Sequence, residues 1–150
     1  DQKHILNARD IPVVQSDRGG EVTYHGPGQL VIYFMIDVKR SKLGPKTLVK
    51  SLQEFTKSLL KEFSIDSKFI DGAPGVYVNE KKIASIGLRI SKGKTYHGIS
   101  INVDMDLAPF SYINPCGYQG LEVTQIKELN NKVTIKDVER LAIELLEPIF

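Results

Sequence analysis

The chain has 150 residues, a length suited to one domain with a single buried core, and we expect residues 1–150 to form one domain. Hydrophobic residues make up 41% and charged residues 25%, which excludes disordered, collagen-like and coiled-coil classes. The net charge of +2 is too small to indicate nucleic-acid binding. No membrane span or secretory signal is recognisable, and a lone cysteine fits a reducing compartment, so we predict a cytoplasmic protein without membrane or nucleic-acid partners.

The first third of the chain predicts two strands separated by a glycine-rich segment. Ile11 to Ser16 is expected to form a short strand, and Gln29 to Val38 a longer, mostly apolar one that is covered on both faces within a sheet. Between them lies the segment Arg18 to Gly28. It lacks the ending of a P-loop and the glycine spacing of a dinucleotide site, so no nucleotide cofactor is predicted from it.

Two amphipathic helices are predicted to cover the core. Gly44 and Pro45 open the first helix, whose apolar residues recur at helical spacing between Leu48 and Phe63. Thr134 and Asp137 resemble a capping box at the start of the second helix, which Pro148 is expected to end.

The middle of the chain predicts short strands and a long hairpin. Ser67 to Ile70 and Gly75 to Asn79 are short strand candidates around a turn at residues 71–74. Lys82 to Ser91 and Lys94 to Val103 are two longer ones, joined by the turn Lys92-Gly93. This turn pairs residues whose numbers sum to 185.

The predicted register gives the hairpin two different faces. One face is largely apolar and holds five pairs: Ile90 with Thr95, Leu88 with His97, Ile86 with Ile99, Ala84 with Ile101, and Lys82 with Val103. The other face sets Gly87 beside Gly98 and Ser85 beside Ser100, a strip nearly without side chains. A ligand that approaches the backbone closely and simple relief of crowding explain this strip equally well.

Cys116 is the candidate nucleophile, because it lies in a polar, turn-rich loop rather than in an apolar run. A thiol with a pKa near 8.5 needs a neighbouring cation or base to react at neutral pH. Lys82, His25 and His97 are the candidates for that group, although a solvated lysine and two structural histidines are the simpler readings of the pattern. The three histidines, including His4, are too far apart in sequence to predict a metal site.

Four segments, in order, resemble the lipoyl(octanoyl) transferase family. They are Arg18 to Gln29 (RGGEVTYHGPGQ), Gly75 to Arg89 with Lys82-Ile-Ala-Ser-Ile-Gly-Leu-Arg, His97 to Val103 (HGISINV), and Ile113 to Gly117 (INPCG). The similarity extends from Ile11 to about Gln125, and the first block is long enough to be specific.

This resemblance implies a fold, an activity and partners. The fold is α/β (α+β), a mixed central sheet flanked by helices, like that of biotin and lipoate ligases. The activity is transfer of an octanoyl group from octanoyl-acyl carrier protein to a lysine of lipoyl domains, the first step of protein lipoylation, without a cofactor. The acceptors are lipoyl domains of 2-oxoacid dehydrogenase and glycine cleavage complexes.

The resemblance also assigns residue roles. Cys116 corresponds to the acyl-thioester nucleophile, and Lys82 to the lysine that lowers the pKa of the thiol and moves protons. Substrate contacts fall on residues of three segments: Arg18, Gly19, Gly20, Glu21, Val22, Thr23, Tyr24 and His25; Ser85, Ile86 and Gly87; Gly98, Ile99 and Ser100.

Some features depart from this pattern. The register places Lys82 on the apolar face, so either a bulge turns it round or the acyl chain does not lie on the glycine strip. Phe34 stands where proline commonly follows the tyrosine of the family. Family members usually have a further amino-terminal strand and helix, so an amino-terminal segment is expected to be missing. An ATP-dependent lipoate or biotin ligase and a non-catalytic module that binds carrier proteins are the competing hypotheses.

Overall fold

The computed structural model describes residues 4–114 and 120–146. Its sheet has five strands in the order β1-β5-β4-β3-β2, all antiparallel to their neighbours: β1 (Gln29–Tyr33), β2 (Lys68–Ile70), β3 (Ala73–Val78), β4 (Lys81–Ser91) and β5 (Lys94–Asn102). A parallel bridge between Lys82 and Val123 gives the sheet its mixed character. The helices are α1 (Val38–Ser41), α2 (Pro45–Glu62), α3 (Ile126–Leu129) and α4 (Ile135–Leu146), with a 3-10 helix at Ala108–Tyr112.

Helices α2 and α4 cover one face of the sheet, as the apolar periodicity predicts. Leu48, Leu52 and Leu59 of α2 are almost completely buried against the sheet. Pro45 begins α2, where its missing N–H costs no hydrogen bond. No helix in the described ranges is both long enough and apolar enough to cross a membrane.

The capping box at the start of α4 forms as the sequence predicts. The Thr134 backbone N–H donates to Asp137 Oδ2 at 3.0 Å, and the Asp137 N–H donates to Thr134 Oγ1 at 3.3 Å. These hydrogen bonds satisfy two N–H groups that a helix start leaves without partners. Pro148, the predicted end of the helix, lies outside the described residues.

The β4–β5 hairpin has the predicted register. Gly87 pairs with Gly98, Ser85 with Ser100, and Ala84 with Ile101. Lys92 and Gly93 both have positive φ, 50° and 78°, as a tight two-residue hairpin turn requires. Because such a turn fixes which residues oppose each other, the pairing follows from the sequence.

Lys82 is the exception to the predicted pairing with Val103, since it pairs with Tyr77 of β3 and bridges to Val123 instead. Val76 pairs with Ala84 while Tyr77 pairs with Lys82, so Ile83 is an extra residue and forms a bulge. Successive residues of β3 point to opposite faces, and Val76 faces the core. The bulge therefore turns Lys82 to the face that carries Ser85 and Gly87.

Strand β1 is shorter and less covered than the sequence predicts. It ends at Tyr33, and α1 begins at Val38, where Asp37 caps the helix by accepting hydrogen bonds from the N–H groups of Lys39 and Arg40. Alternate residues of this segment remain exposed, Val31 by 40%, Tyr33 by 62% and Met35 by 78%, so the prediction of a strand covered on both faces is wrong for the described structure.

The prediction of a strand at Ile11 to Ser16 is also wrong. These residues are not part of a strand, and Val13 and Val14 are exposed. An extended segment becomes a strand only when a neighbour pairs with it, and no described strand runs beside this one.

Phe34 has a structural role of its own. Its ring is buried and meets the Phe55 ring edge-on at 6.2 Å between centroids. Its backbone N–H donates to the carbonyl oxygen of His97 at 2.8 Å, a hydrogen bond that proline could not make.

Candidate active site

A cleft of about 260 Å³ lies on the face of the sheet opposite the helices. The glycine-rich segment at residues 18–25 forms one wall, and the glycine strip of the β4–β5 hairpin forms the floor. The lining residues come from five places in the chain: Arg18, Gly19, Gly20, Glu21, Thr23 and His25; Val31 and Tyr33; Gly72 and Pro74; Ser85, Ile86 and Gly87; His97, Gly98, Ile99 and Ser100.

Close backbone contact holds the wall against the floor. The Gly19 N–H donates to the Leu88 carbonyl oxygen at 3.2 Å, and a Cβ on Gly87 would lie 2.9 Å from the Gly19 carbonyl oxygen. A Cβ on Gly98 would overlap the carbonyl oxygen of Ile32 in β1. The two glycines therefore relieve crowding, as one explanation of the strip requires, and they also floor the cleft, while close approach of a ligand to this strip stays a prediction.

The Arg18 side chain forms hydrogen bonds within the glycine-rich wall segment. Its guanidinium donates to the carbonyl oxygens of Gly19 at 3.0 Å and Glu21 at 2.6 Å. These hydrogen bonds fold the arginine side chain back along its own segment, and Arg18 still lines the cleft.

Asp17 ties the same segment to β5. Its carboxylate accepts hydrogen bonds from the Tyr96 hydroxyl at 2.7 Å and from His97 Nε2 at 3.0 Å. The Tyr96 hydrogen bond and then the His97 hydrogen bond hold the pKa of Asp17 below its ordinary value, and the same carboxylate raises the pKa of Tyr96.

His97 lines the cleft although the predicted alternation places it on the apolar face. It keeps its partner Leu88, but its φ of 65° is left-handed, a conformation that histidine adopts more readily than most residues. This local turn directs the imidazole toward Asp17 and toward the Tyr33 ring, whose centroid is 5.8 Å away.

Replacing Tyr96 with phenylalanine is expected to raise the pKa of Asp17 toward its ordinary 3.8, because the largest cause of the lowering is removed. A carboxylate with a lowered pKa stabilises the folded contact above the unfolded pKa and loses that effect as the pH falls through the folded pKa. In the Tyr96→Phe protein, Asp17 should thus become protonated, and its remaining hydrogen bond with His97 should weaken, at a higher pH than in the parent. Carboxyl carbon NMR titration measures the shift, and Asp137, whose pKa is lowered by Thr134, is the internal control. An unchanged Asp17 titration would contradict the assigned cause.

A chain of side-chain hydrogen bonds begins at His25. Its Nδ1 lies 2.7 Å from Gln29 Oε1, and Gln29 Nε2 donates to Asn102 Oδ1 at 2.9 Å. Asn102 Nδ2 then donates to the Thr124 carbonyl oxygen at 3.0 Å. Gln29 and Asn102 meet because they are direct partners in the β1–β5 pairing.

Lys82 is buried beside the cleft and does not line it. Its side chain is packed against Gly75, with Nζ 5.5 Å from the centre of the Tyr77 ring, and the residue is 2% exposed. Its backbone makes two hydrogen bonds to a neighbouring segment: the Lys82 N–H donates to the Glu122 carbonyl oxygen at 2.9 Å, and the Lys82 carbonyl oxygen accepts from the Thr124 backbone N–H at 2.9 Å.

The structure brings together all the predicted substrate-contact residues except two. Val22 and Tyr24 do not line this cleft; Tyr24 instead meets the Phe110 ring edge-on at 5.5 Å. Both residues instead line a separate small cavity beside Pro109 and Tyr112. Cys116, the predicted nucleophile, lies outside the described residues.

Sequence reasoning did not assign Val31, Tyr33, Gly72 and Pro74 to the site. Val31 and Tyr33 follow from β1 pairing with β5, where they oppose Ser100 and Gly98. Side chains alternate between the two faces of β1, so the pairing of β1 with β5 would have been enough to place Val31 and Tyr33 at the cleft. Gly72 and Pro74 lie in and after the turn before β3, and only the folded chain brings them to the cleft.

Comparisons with known proteins agree with this architecture. Residues 2–147 match the family model described as the lipoyl protein ligase A/B catalytic domain. An octanoyltransferase of Francisella tularensis subsp. novicida is 55% identical over 139 residues, which are 92% of this chain and 68% of the relative.

Two solved structures share the fold at lower identity. The bipartite lipoate protein ligase from Thermoplasma acidophilum, solved in a study of that ligase and its E2 lipoyl domain, is similar with a TM-score of 0.69 and 18% identity, over 88% of this chain and 55% of that one. Biotin protein ligase from Aquifex aeolicus is similar with a TM-score of 0.63 and 23% identity, over 81% and 51%. These likenesses confirm the predicted ligase-like fold. Together, the domain match over residues 2–147 and the 55% identity to an octanoyltransferase show that the chain belongs to the lipoyl protein ligase A/B catalytic domain family.

Proposed function

We propose that the protein transfers an octanoyl group from octanoyl-acyl carrier protein to a lysine of a lipoyl domain, through a thioester on Cys116. The observation that carries this proposal is the 55% identity to an octanoyltransferase over 92% of the chain. The cleft supports it, because an open, glycine-floored trough suits a thin acyl chain better than a bulky ring system.

Lys82 supports a thiolate mechanism through its position. The bulge at Ile83 places it on the cleft face of the sheet, and residues 122–124 run directly beside it. Cys116 precedes Glu122 by six residues, a tether that spans at most about 20 Å. In this proposal the positive charge of Lys82 stabilises the Cys116 thiolate, which makes it nucleophilic at neutral pH.

In the first half-reaction the thiolate attacks the thioester carbonyl of the donor. The new carbon–sulfur bond forms, the carrier sulfur leaves with its electron pair, and the octanoyl group remains on Cys116. Backbone N–H groups of the cleft would stabilise the oxyanion, but that of Gly19 is already bonded to Leu88 and is not among them. Burying the acyl chain in the cleft contributes about 0.8 kcal/mol per methylene.

In the second half-reaction a neutral lysine amine of the acceptor attacks the acyl-enzyme. Lipoyl domains of 2-oxoacid dehydrogenase and glycine cleavage complexes are the proposed acceptors. The archaeal ligase with the similar fold was studied together with an E2 lipoyl domain, which supports this class of acceptor.

An ATP-dependent ligase is the second candidate, because the two similar solved structures described above are a lipoate and a biotin protein ligase. Such an enzyme would activate free octanoate or lipoate as an adenylate and release pyrophosphate. Pyrophosphate release that depends on the acid and on ATP would favour the ligase over the transferase.

Intact-mass analysis tests the transferase directly. After incubation with octanoyl-acyl carrier protein, the protein should gain the mass of one octanoyl group, and adding apo lipoyl domain should remove it. Cys116→Ser should show neither event. Transfer at the full rate by Cys116→Ser, with no acylated wild-type protein detected, would overturn the covalent mechanism.

A further inference from the structure

The hydrogen-bond chain from His25 to Thr124 has a fixed direction. It ends on a backbone carbonyl oxygen, which can only accept, so Asn102 must present its NH₂ group there. Asn102 Oδ1 then faces Gln29, which must donate. Gln29 Nε2 also lies 3.4 Å from the Tyr24 carbonyl oxygen, a second acceptor that requires the same amide orientation.

This direction determines which nitrogen of His25 carries the proton. With Gln29 Nε2 turned toward two acceptors, Gln29 Oε1 faces His25 Nδ1 at 2.7 Å. An oxygen can only accept, so the neutral imidazole must hold its proton on Nδ1. Its Nε2 then carries a lone pair, and none of the described residues hydrogen-bonds to this atom.

His25 reaches the cleft and Lys82 does not. His25 is exposed and lines the cleft, whereas Lys82 is 2% exposed and packed against Gly75 and Tyr77. A group that takes a proton from a substrate amine must come within hydrogen-bond reach of it, and an acceptor lysine enters from the open side.

From this geometry we propose that His25 accepts the proton of the attacking amine in the acyl transfer, and that Gln29 and Asn102 are positioning residues that hold it as the Nδ1–H tautomer. The role of His25 as proton acceptor rests on the proposed function, because that function supplies the amine. The Nδ1–H tautomer of His25 rests only on the hydrogen bonds. This role of His25 leaves Lys82 the separate task of stabilising the thiolate.

The acyl transfer requires only the amine, the thioester and His25. The neutral amine attacks the thioester carbon and the carbon–nitrogen bond forms. The amine proton passes to His25 Nε2, the carbon–sulfur bond breaks, and the sulfur leaves with its electron pair. The imidazolium returns the proton to the thiolate or to water, which restores neutral His25.

Nitrogen-15 NMR of the imidazole rings tests the tautomer independently of activity. In the wild-type protein His25 is expected as Nδ1–H. In Gln29→Met, which removes the oxygen acceptor at similar side-chain volume, it should move toward Nε2–H. His97, held by Asp17 elsewhere in the cleft, is the internal control and should not change. A wild-type His25 in the Nε2–H form, or one that Gln29→Met leaves unchanged, would overturn the positioning role.

Single-turnover transfer from preformed acyl-enzyme to apo lipoyl domain tests the proton transfer. His25→Gln is expected to slow this step about 10²–10⁴-fold and Gln29→Met by less, and in both variants the loss should be larger for this step than for acyl-enzyme formation. Equal slowing of both half-reactions, or none, would overturn the role of His25. A wild-type protein that never becomes acylated would instead refute the proposed function, and the NMR result would still decide the tautomer.

Discussion

Replacing Lys82 with methionine is expected to lower the rate of octanoyl transfer about 10²–10⁴-fold, a loss typical of a group that acts on protonation at the reacting centre. Methionine keeps most of the side-chain volume, so packing against Gly75 and Tyr77 should survive. The variant loses the positive charge that Lys82 places on the cleft side of the sheet. Acyl-enzyme formation, followed by intact mass against time and pH, should need a higher pH in the variant because the thiol is no longer stabilised as a thiolate.

Lys81→Met is the matched control. Lys81 is the neighbouring residue of the same strand, but it is partly exposed and forms a surface ion pair with Glu122 at 3.3 Å. Its replacement should change transfer by less than about twofold and unfolding by at most about 1 kcal/mol. If both variants kept wild-type rates while remaining folded, Lys82 would have no part in the chemistry.

Replacing Gly28 with alanine is expected to lower the free energy of unfolding by about 2–5 kcal/mol. Its φ of 82° disfavours any residue with a Cβ by about 1–2 kcal/mol, and that Cβ would overlap the carbonyl oxygen of Asp104, an overpacking cost of about 1–3 kcal/mol. Relaxation would also disturb the hydrogen bonds that the Gly28 carbonyl accepts from Val103 at 3.3 Å and Asp104 at 2.9 Å. Urea denaturation measures the change.

Gly72→Ala separates the two causes. Gly72 has a similar φ of 75°, but a Cβ there would meet nothing within 4 Å. It should therefore show only the backbone cost of about 1–2 kcal/mol. Equal losses in the two variants would mean that contact with Asp104 contributes nothing.

The helices and the hairpin could be predicted because their determinants are local. Pro45 and the apolar spacing of α2 specify a helix, and Lys92-Gly93 specifies a tight turn that sets the pairing of β4 with β5. The strand predicted at Ile11 to Ser16 failed for the opposite reason, since a strand exists only through a partner that the local sequence does not name.

The site was predicted in part. The glycine-rich segment and the Ser85 to Gly87 and Gly98 to Ser100 strips line one cleft, as the resemblance implies. The pairing of Asp17 with His97 and the link from Gln29 to Asn102 were missed, because these partners are separated by 80 and 73 residues. The roles of Lys82 and Cys116 stay predictions.

The sequence by itself determined the family, the helices, and which residues of β4 and β5 face each other, because motif order and a two-residue turn leave little freedom. Only the tertiary structure decided which way two decisive side chains point. Lys82 lies on the face of the sheet that carries the cleft because pairing with β3 inserts a bulge at Ile83, and His97 turns into the cleft through a left-handed backbone. Both are responses of a strand to its neighbours, and the period-two pattern of an isolated strand cannot encode them.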